Sequence, residues 1–138
     1  MKSRLEAFLH PIQTEERKEV LISKRFQDEN GNLIPFIIRQ ISQAENEEIV
    51  KKATKTKKVR GVPQEYVDGA EVSRRLVVAA TVDPDFTSKE ICDAYGVLDP
   101  LMVPGKMLLS GEYNRLLDEI TSFSGFESLE DLETEAKN

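Results

Sequence analysis

The sequence has few of the side chains that do chemistry. Its 138 residues contain one cysteine, one histidine and no tryptophan. A single cysteine, Cys92, rules out an intramolecular disulfide, which fits a reducing compartment. Cys92 and His10 together cannot supply an ordinary zinc site. A nucleophile needs a base beside it, and His10, next to Pro11, reads as a solvated histidine near the terminus. Cys92, beside Ile91, reads as a small buried hydrophobe. There is no P-loop and no GxGxxG. "DENGN" resembles a fragment of a calcium loop, but the position six residues after Gly31, where that loop needs glutamate, is Ile37. No apolar run approaches the length of about 18 residues that an ordinary membrane-spanning helix needs. The opening "MKSRLEAFLHPI" has no apolar core of the secretory kind. These absences leave no candidate catalytic, cofactor or metal-binding residue.

The chain does have charge. Asp and Glu number 25 against 19 Lys and Arg, a net charge of −6, and 32% of residues are charged. That share exceeds the usual quarter or so and implies a heavily solvated surface. The acidity weighs against a dedicated nucleic-acid binder, because phosphate binding runs on an excess of Lys and Arg. The length suits one domain, able to bury roughly two-thirds of its unfolded surface.

Periodicity supplies the elements. "SRLEAFL" can form a short helix with Leu5, Phe8 and Leu9 on one side, ended by Pro11. Residues 18–41 alternate with period two: Val20, Ile22, Lys24, Phe26 against Leu21, Ser23, Arg25, then Ile34, Phe36, Ile38 against Leu33, Pro35, Ile37. Asn30-Gly31 between the runs predicts a tight turn with positive φ, hence a β-hairpin. Pro35 lacks an N–H and predicts an open side to its strand. Ser42 and Glu45 have capping-box spacing, and Ile49, Val50 and Ala53 complete a helix over about 43–54. "KKATKTKKVR" holds Lys51, Lys52, Lys55, Lys57, Lys58 and Arg60, and reads as a basic loop over about 55–64. From Gln64 to Val82 the pattern predicts a helix weakened near Gly69, with Leu76, Val77 and Ala80 on one face. A buried strand at "RLVVAATV" is the alternative. Thr87 and Glu90 again have capping-box spacing. Gly96 sits where a helix ends in the left-handed region. Asp99-Pro100 can start a short turn, and Pro104-Gly105 breaks it.

The most organised stretch is "KMLLSGEYNRLLDEITSFSGF". Ser110 can cap it and Gly125 can stop it. Tyr113, Leu116, Leu117, Ile120 and Phe123 fall on one face. That face is either core or partner surface. The expected architecture is α+β: one domain over 1–126, an N-terminal hairpin packed with four to six short helices between about 43 and 124. Residues 127–138, with five acidic residues, are expected to form a flexible acidic tail.

Three stretches carry a resemblance to a known family. "SKRFQDENGNLIPFIIRQIS", "VAATVDPDFTSKEICDAYGV" and "KMLLSGEYNRLLDEITSFSGF", in this order over residues 5–126, resemble the XkdN-like tail assembly chaperones of contractile-tailed phages and phage-like prophages of Bacillus and its relatives. The resemblance implies a small non-enzymatic cytoplasmic protein, without cofactor or membrane, that holds the tape-measure protein soluble while the tail tube polymerises. It implies absence from the finished particle, with the tail tube protein as a further partner; self-association stays open. The candidate partner-binding residues are Tyr113, Leu116, Leu117, Ile120, Phe123, Phe126, Leu129 and Leu132, the last three as a segment that orders on contact. Two other readings stand beside it: an adaptor that stays in the particle, and a nucleic-acid-binding regulator using the basic run.

Overall fold

A computed structural model of the chain describes residues 3–13 and 16–126. Leu129, Leu132 and the rest of the expected tail lie outside the described residues.

The elements run α1 (Arg4–Leu9), β1 (Arg17–Val20), β2 (Phe36–Arg39), α2 (Gln43–Lys52), β3 (Thr54–Val59), β4 (Val62–Val67), α3 (Gly69–Ala80), β5 (Thr81–Asp83), α4 (Lys89–Ala94), a single 3-10 turn (Pro100–Met102), α5 (Val103–Met107) and α6 (Ser110–Phe123). This is the α+β architecture expected, with the hairpin first and the helices after it. β1, β2 and β5 form an antiparallel sheet in that order; β3 and β4 form a separate two-stranded one.

The first hairpin pairs over a shorter length than its alternation suggests. Arg17 faces Arg39 and Val20 faces Phe36, and the ladder ends there because Pro35 has no N–H to donate. The intervening chain leaves the sheet, yet its pattern still sorts the side chains: Ile22 is buried and Phe26 half-buried, while Leu21 is exposed. The turn is built by Asp28, whose Oδ1 accepts from the N–H of Asn30 at 2.8 Å and of Asn32 at 2.9 Å. Only Gly31 has a positive φ, 81°; Asn30 does not. The turn is therefore a three-residue connection closed by a left-handed glycine, not the two-residue type that Asn-Gly suggests.

Caps decide most helix ends. Ser42 accepts from the N–H of Glu45 and Ser3 from that of Glu6. Asp99 Oδ1 accepts from Leu101 N–H at 3.0 Å. Gly96 and Gly125 have φ of 67° and 95°, and each closes a helix with paired bonds from its own N–H and the one after it, as in Gly125 N–H to Ser122 O and Phe126 N–H to Thr121 O.

Several boundaries differ from the sequence expectation. The cap of α4 is Ser88, not Thr87, whose hydroxyl donates to Asp85 at 2.6 Å instead. Leu109, not Ser110, takes the N-cap position of α6, because the Glu112 carboxylate reaches back to accept its N–H at 2.8 Å. Pro104 does not break the chain: it sits in the first turn of α5, where its missing N–H costs nothing. The segment from Gln64 divides at Asp68, the N-cap of α3, with strand before it and helix after it. The "RLVVAATV" run is helix up to Ala80 and strand from Thr81, so each of the two readings holds for part of it. The basic run read as a loop is a regular hairpin, β3–β4. Its turn, Arg60-Gly61, has positive φ at both residues, 53° and 80°, the two-residue geometry that matches strand twist.

The core lies between the inner face of the sheet and helices α3 and α6. It joins Val20, Ile22, Phe36 and Ile38 to Val77, Ala80, Phe86, Val103, Leu116 and Ile120. Helix α6 is tied across β1 and β2 at both ends. At its start Glu112 holds Arg25, whose Nε donates to Oε2 at 3.0 Å, and Arg25 also donates to the carbonyl of Met107 at 3.0 Å. Arg115 donates to the carbonyl of Ile22. At its end, Gln40 donates to Phe123 O at 3.1 Å and Ile41 N–H to Ser124 Oγ at 2.9 Å.

The Arg25 guanidinium above all, helped by Ser23 and the Leu109 N–H, holds the Glu112 carboxyl down at about 2. A depressed folded-state pKa contributes stability that is full above the unfolded carboxylate range, near 4.3, and is lost as pH falls from there through the folded value. Urea unfolding of wild type and Glu112→Gln should therefore differ most above about pH 5 and converge as pH drops toward about 2. A gap that does not change with pH would contradict this. Leu116→Ala should cost about 2–5 kcal/mol in the same assay, as a fully buried leucine does. Phe126→Ala, at a residue 69% exposed, should stay within about 0.5 kcal/mol.

Candidate partner-binding surface

Helix α6 has two kinds of apolar residue on its one hydrophobic side. Leu116 and Ile120 are fully buried and belong to the core. Tyr113, Leu117 and Phe123 are half-buried and pack against its edge. Phe126 is exposed just past the helix end. The residues singled out in the sequence are thus mostly in one place, but Leu116 and Ile120 have no free surface to offer.

Beside α6 lies an open groove of roughly 560 Å³, and at the helix's C-terminal end a smaller cavity of roughly 60 Å³ takes in Ile120 and Phe126. The groove's walls are Ala70 and Arg74 of α3, Leu101 and Met102 of the 3-10 turn, Leu108, and Tyr113 and Leu117 of α6. The floor is apolar. Burial in it pushes the Tyr113 hydroxyl up, partly offset by the Arg74 charge. At the rim Met102 is 46% exposed. A concave apolar channel bordered by helices is the shape that receives the apolar face of another helix. Of the sequence-selected residues it takes in Tyr113 and Leu117. It adds Leu101, Met102 and Leu108, which the periodicity of α6 does not flag, because the 3-10 turn and the residue after α5 contribute them.

A second unpartnered apolar stripe lies on α1. Leu5, Phe8, Leu9 and Ile12 are between 60% and 89% exposed, and α1 buries none of its side chains among the described residues.

The ionisable groups with shifted protonation are taken up in local pairs. Glu45 is held below its usual range by the Arg39 fork, at 2.7 and 2.9 Å. Glu71 is held down by Lys55 at 2.9 Å and Arg75 at 3.1 Å. Asp85 is held down by Thr87, and Asp28 by Asn32. Cys92 is buried, with its Sγ 3.5 Å from the carbonyl of Phe86. No group of three or more His, Cys, Asp or Glu among the described residues is placed to hold a metal, and no helix among them is long and apolar enough to cross a membrane.

The sequence and fold match known proteins over nearly their whole length. The family model for the phage XkdN-like tail assembly chaperone protein matches residues 5–137. The phage-like element PBSX protein XkdN of Bacillus subtilis (strain 168) is 39% identical over 137 residues, covering 96% of this chain and 93% of XkdN. Protein YqbN of the same strain is also 39% identical over 137 residues, covering 96% and 92%. The crystal structure of YqbN superposes with a TM-score of 0.72 at 34% identity, over 88% of this chain and 96% of that one. The chain therefore belongs to the phage XkdN-like tail assembly chaperone family.

Proposed function

We propose that this tail assembly chaperone keeps the tape-measure protein soluble by holding an apolar helical segment of it in the groove beside α6. The groove is the observation that carries the reading. A tape measure is a long helical chain with apolar seams, and a seam left in water invites aggregation. A holder needs a concave apolar surface and an exterior charged enough to stay dispersed. The channel lined by Leu101, Met102, Leu108, Tyr113 and Leu117 supplies the first. A net charge of −6 supplies the second. Because the work is binding and release, no turnover and no cofactor are needed. The protein acts in the host cytoplasm and leaves before the particle is complete.

Co-expression with the tape-measure protein of the same phage-like element should raise that protein's soluble fraction, and the two should co-purify. Met102→Glu, which places a charge on the exposed rim of the groove, should keep the fold and lose most of the effect. A tape measure equally soluble without the chaperone would end the proposal. Purified particles should contain no stoichiometric amount of the chaperone by mass spectrometry; its presence at fixed stoichiometry would instead make it an adaptor.

A further inference from the structure

The hairpin β3–β4 stands apart from the body. Among the described residues its strands pair only with each other, and every residue from Thr56 to Val67 is exposed. An isolated two-stranded hairpin is marginal in water, and each strand here keeps one unpaired edge, a ready template for another chain.

The two faces of this arm differ. Side chains alternate along a strand, so the cross-strand pairs Lys55–Tyr66, Lys57–Gln64 and Val59–Val62 share one face. That face has no carboxylate. Lys57 Nζ lies 5.0 Å from the centre of the Tyr66 ring, so the amine is parked over the aromatic surface. The opposite face carries Glu65 and Pro63.

The acid-free face is linked through Glu71 to a basic cleft on the body. Lys55 reaches Glu71 on α3, and the same carboxylate holds Arg75. Arg75 lines a cleft of roughly 510 Å³ together with Arg17, Arg39 and Lys52. One carboxylate, Asp85, lines it too, and that carboxylate accepts from the hydroxyl and N–H of Thr87. Glu45 lies beside it and is engaged by Arg39. Arg17 and Lys52 have no carboxylate partner among the described residues. The cleft wall also contains Thr81, whose Oγ1 is buried with no hydrogen-bond partner among the described residues.

We propose that the acid-free face of the arm and this cleft form a docking surface for an acidic segment of a partner polypeptide, with its carboxylates on Arg17, Lys52 and Lys57. Charge complementarity selects that occupant. On a chain of net charge −6, a cluster in which Arg17, Lys52 and Lys57 have no carboxylate partner among the described residues is a local exception that attracts acidic protein at short range. A second copy of this chain would set lysines against lysines if the arms paired, and like charges opposite one another repel. Nucleic acid would meet the overall negative field, with Tyr66 as the single aromatic on the arm for a base to stack on. The inference deepens the chaperone reading and depends on it only for the identity of the partner in the cell.

The test uses the full chain and three labelled probes in fluorescence anisotropy: a synthetic peptide of Glu-Ala-Leu repeats, its Gln-Ala-Leu counterpart, and a single-stranded DNA of matching length. At low salt the acidic peptide should bind and the glutamine peptide should not, and binding should weaken as salt rises. The double variant Arg17→Glu, Lys57→Glu should bind the acidic peptide about tenfold more weakly or worse, with its melting temperature retained. Amide NMR shifts in wild type should move along 52–66 and at Arg17 and Arg75, a readout that stands even if the variant unfolds. Equal binding of both peptides, unchanged affinity in the variant, shifts confined elsewhere, or tighter binding of DNA would each overturn the proposal. Its failure is separable from that of the chaperone reading. A charge-reversed variant that still solubilises the tape measure sinks only the docking surface. Acidic-peptide binding by a wild type that solubilises nothing leaves the surface and sinks the chaperone reading.

Discussion

The rest of this structure depends on α6 lying across β1 and β2 and being held there at both ends. Apolar burial alone would let a helix slide or rotate on a three-stranded sheet, because it has no direction. Hydrogen bonds remove that freedom. The Glu112 carboxylate caps the helix through Leu109 N–H and grips Arg25 in the segment that leaves β1. Gln40 and Ile41, just past β2, grip the other end through Phe123 and Ser124. Leu116 and Ile120, between these ties, face Val77 and the sheet and complete the core. A charged residue thus helps hold the fold, with both Glu112 carboxylate oxygens engaged by Arg25 and by the Leu109 N–H.

Once α6 is placed, α3 has two different sides. Ala70, Ser73 and Arg74 line the apolar groove that α3 shares with α5 and α6. Arg75, Val78 and Ala79 line the basic cleft toward β5 and α2. One helix is thus the common wall of two surfaces with opposite chemistry, and Leu101 touches both. A partner with an apolar seam and an acidic flank would meet both surfaces, the seam in the groove and the flank along the cleft and arm.

What the sequence made legible was local. Ser42, Asp99, Gly96 and Gly125 act on backbone groups a few residues away, so spacing alone identifies them. The seam of α6 was visible for the same reason. The shifts at Thr87 and Ser110 were by one residue: the Thr87 hydroxyl donates to Asp85 while Ser88 caps α4, and Glu112 accepts the N–H of Leu109, which sets the start of α6 one residue earlier. Long-range features were hidden. Nothing near Arg25 announces Glu112, 87 residues away. β5 is three residues at the end of a helical run and exists because β2 has an edge to pair with. The β3–β4 arm was masked by its lysines, which read as a solvated loop. Its turn was masked because Arg60, not Asn or Asp, occupies the first left-handed position. Of the candidate site, periodicity gave Tyr113 and Leu117 but also the core residues Leu116 and Ile120. Periodicity marks an apolar face without saying what covers it, and Leu101, Met102 and Leu108 enter only when three segments meet.

The groove's occupancy is the claim on which the functional account stands, and hydrogen exchange on the complex with the tape-measure protein addresses it directly. Amides at Leu101 and Met102, on an exposed turn at the groove's edge, should exchange more slowly in the complex than in the free chaperone. Those of Leu116 and Ile120, already deep in the core, should change little. A complex that forms with no slowing at the groove, and protection confined to α1 or the outer face of the sheet, would contradict the account.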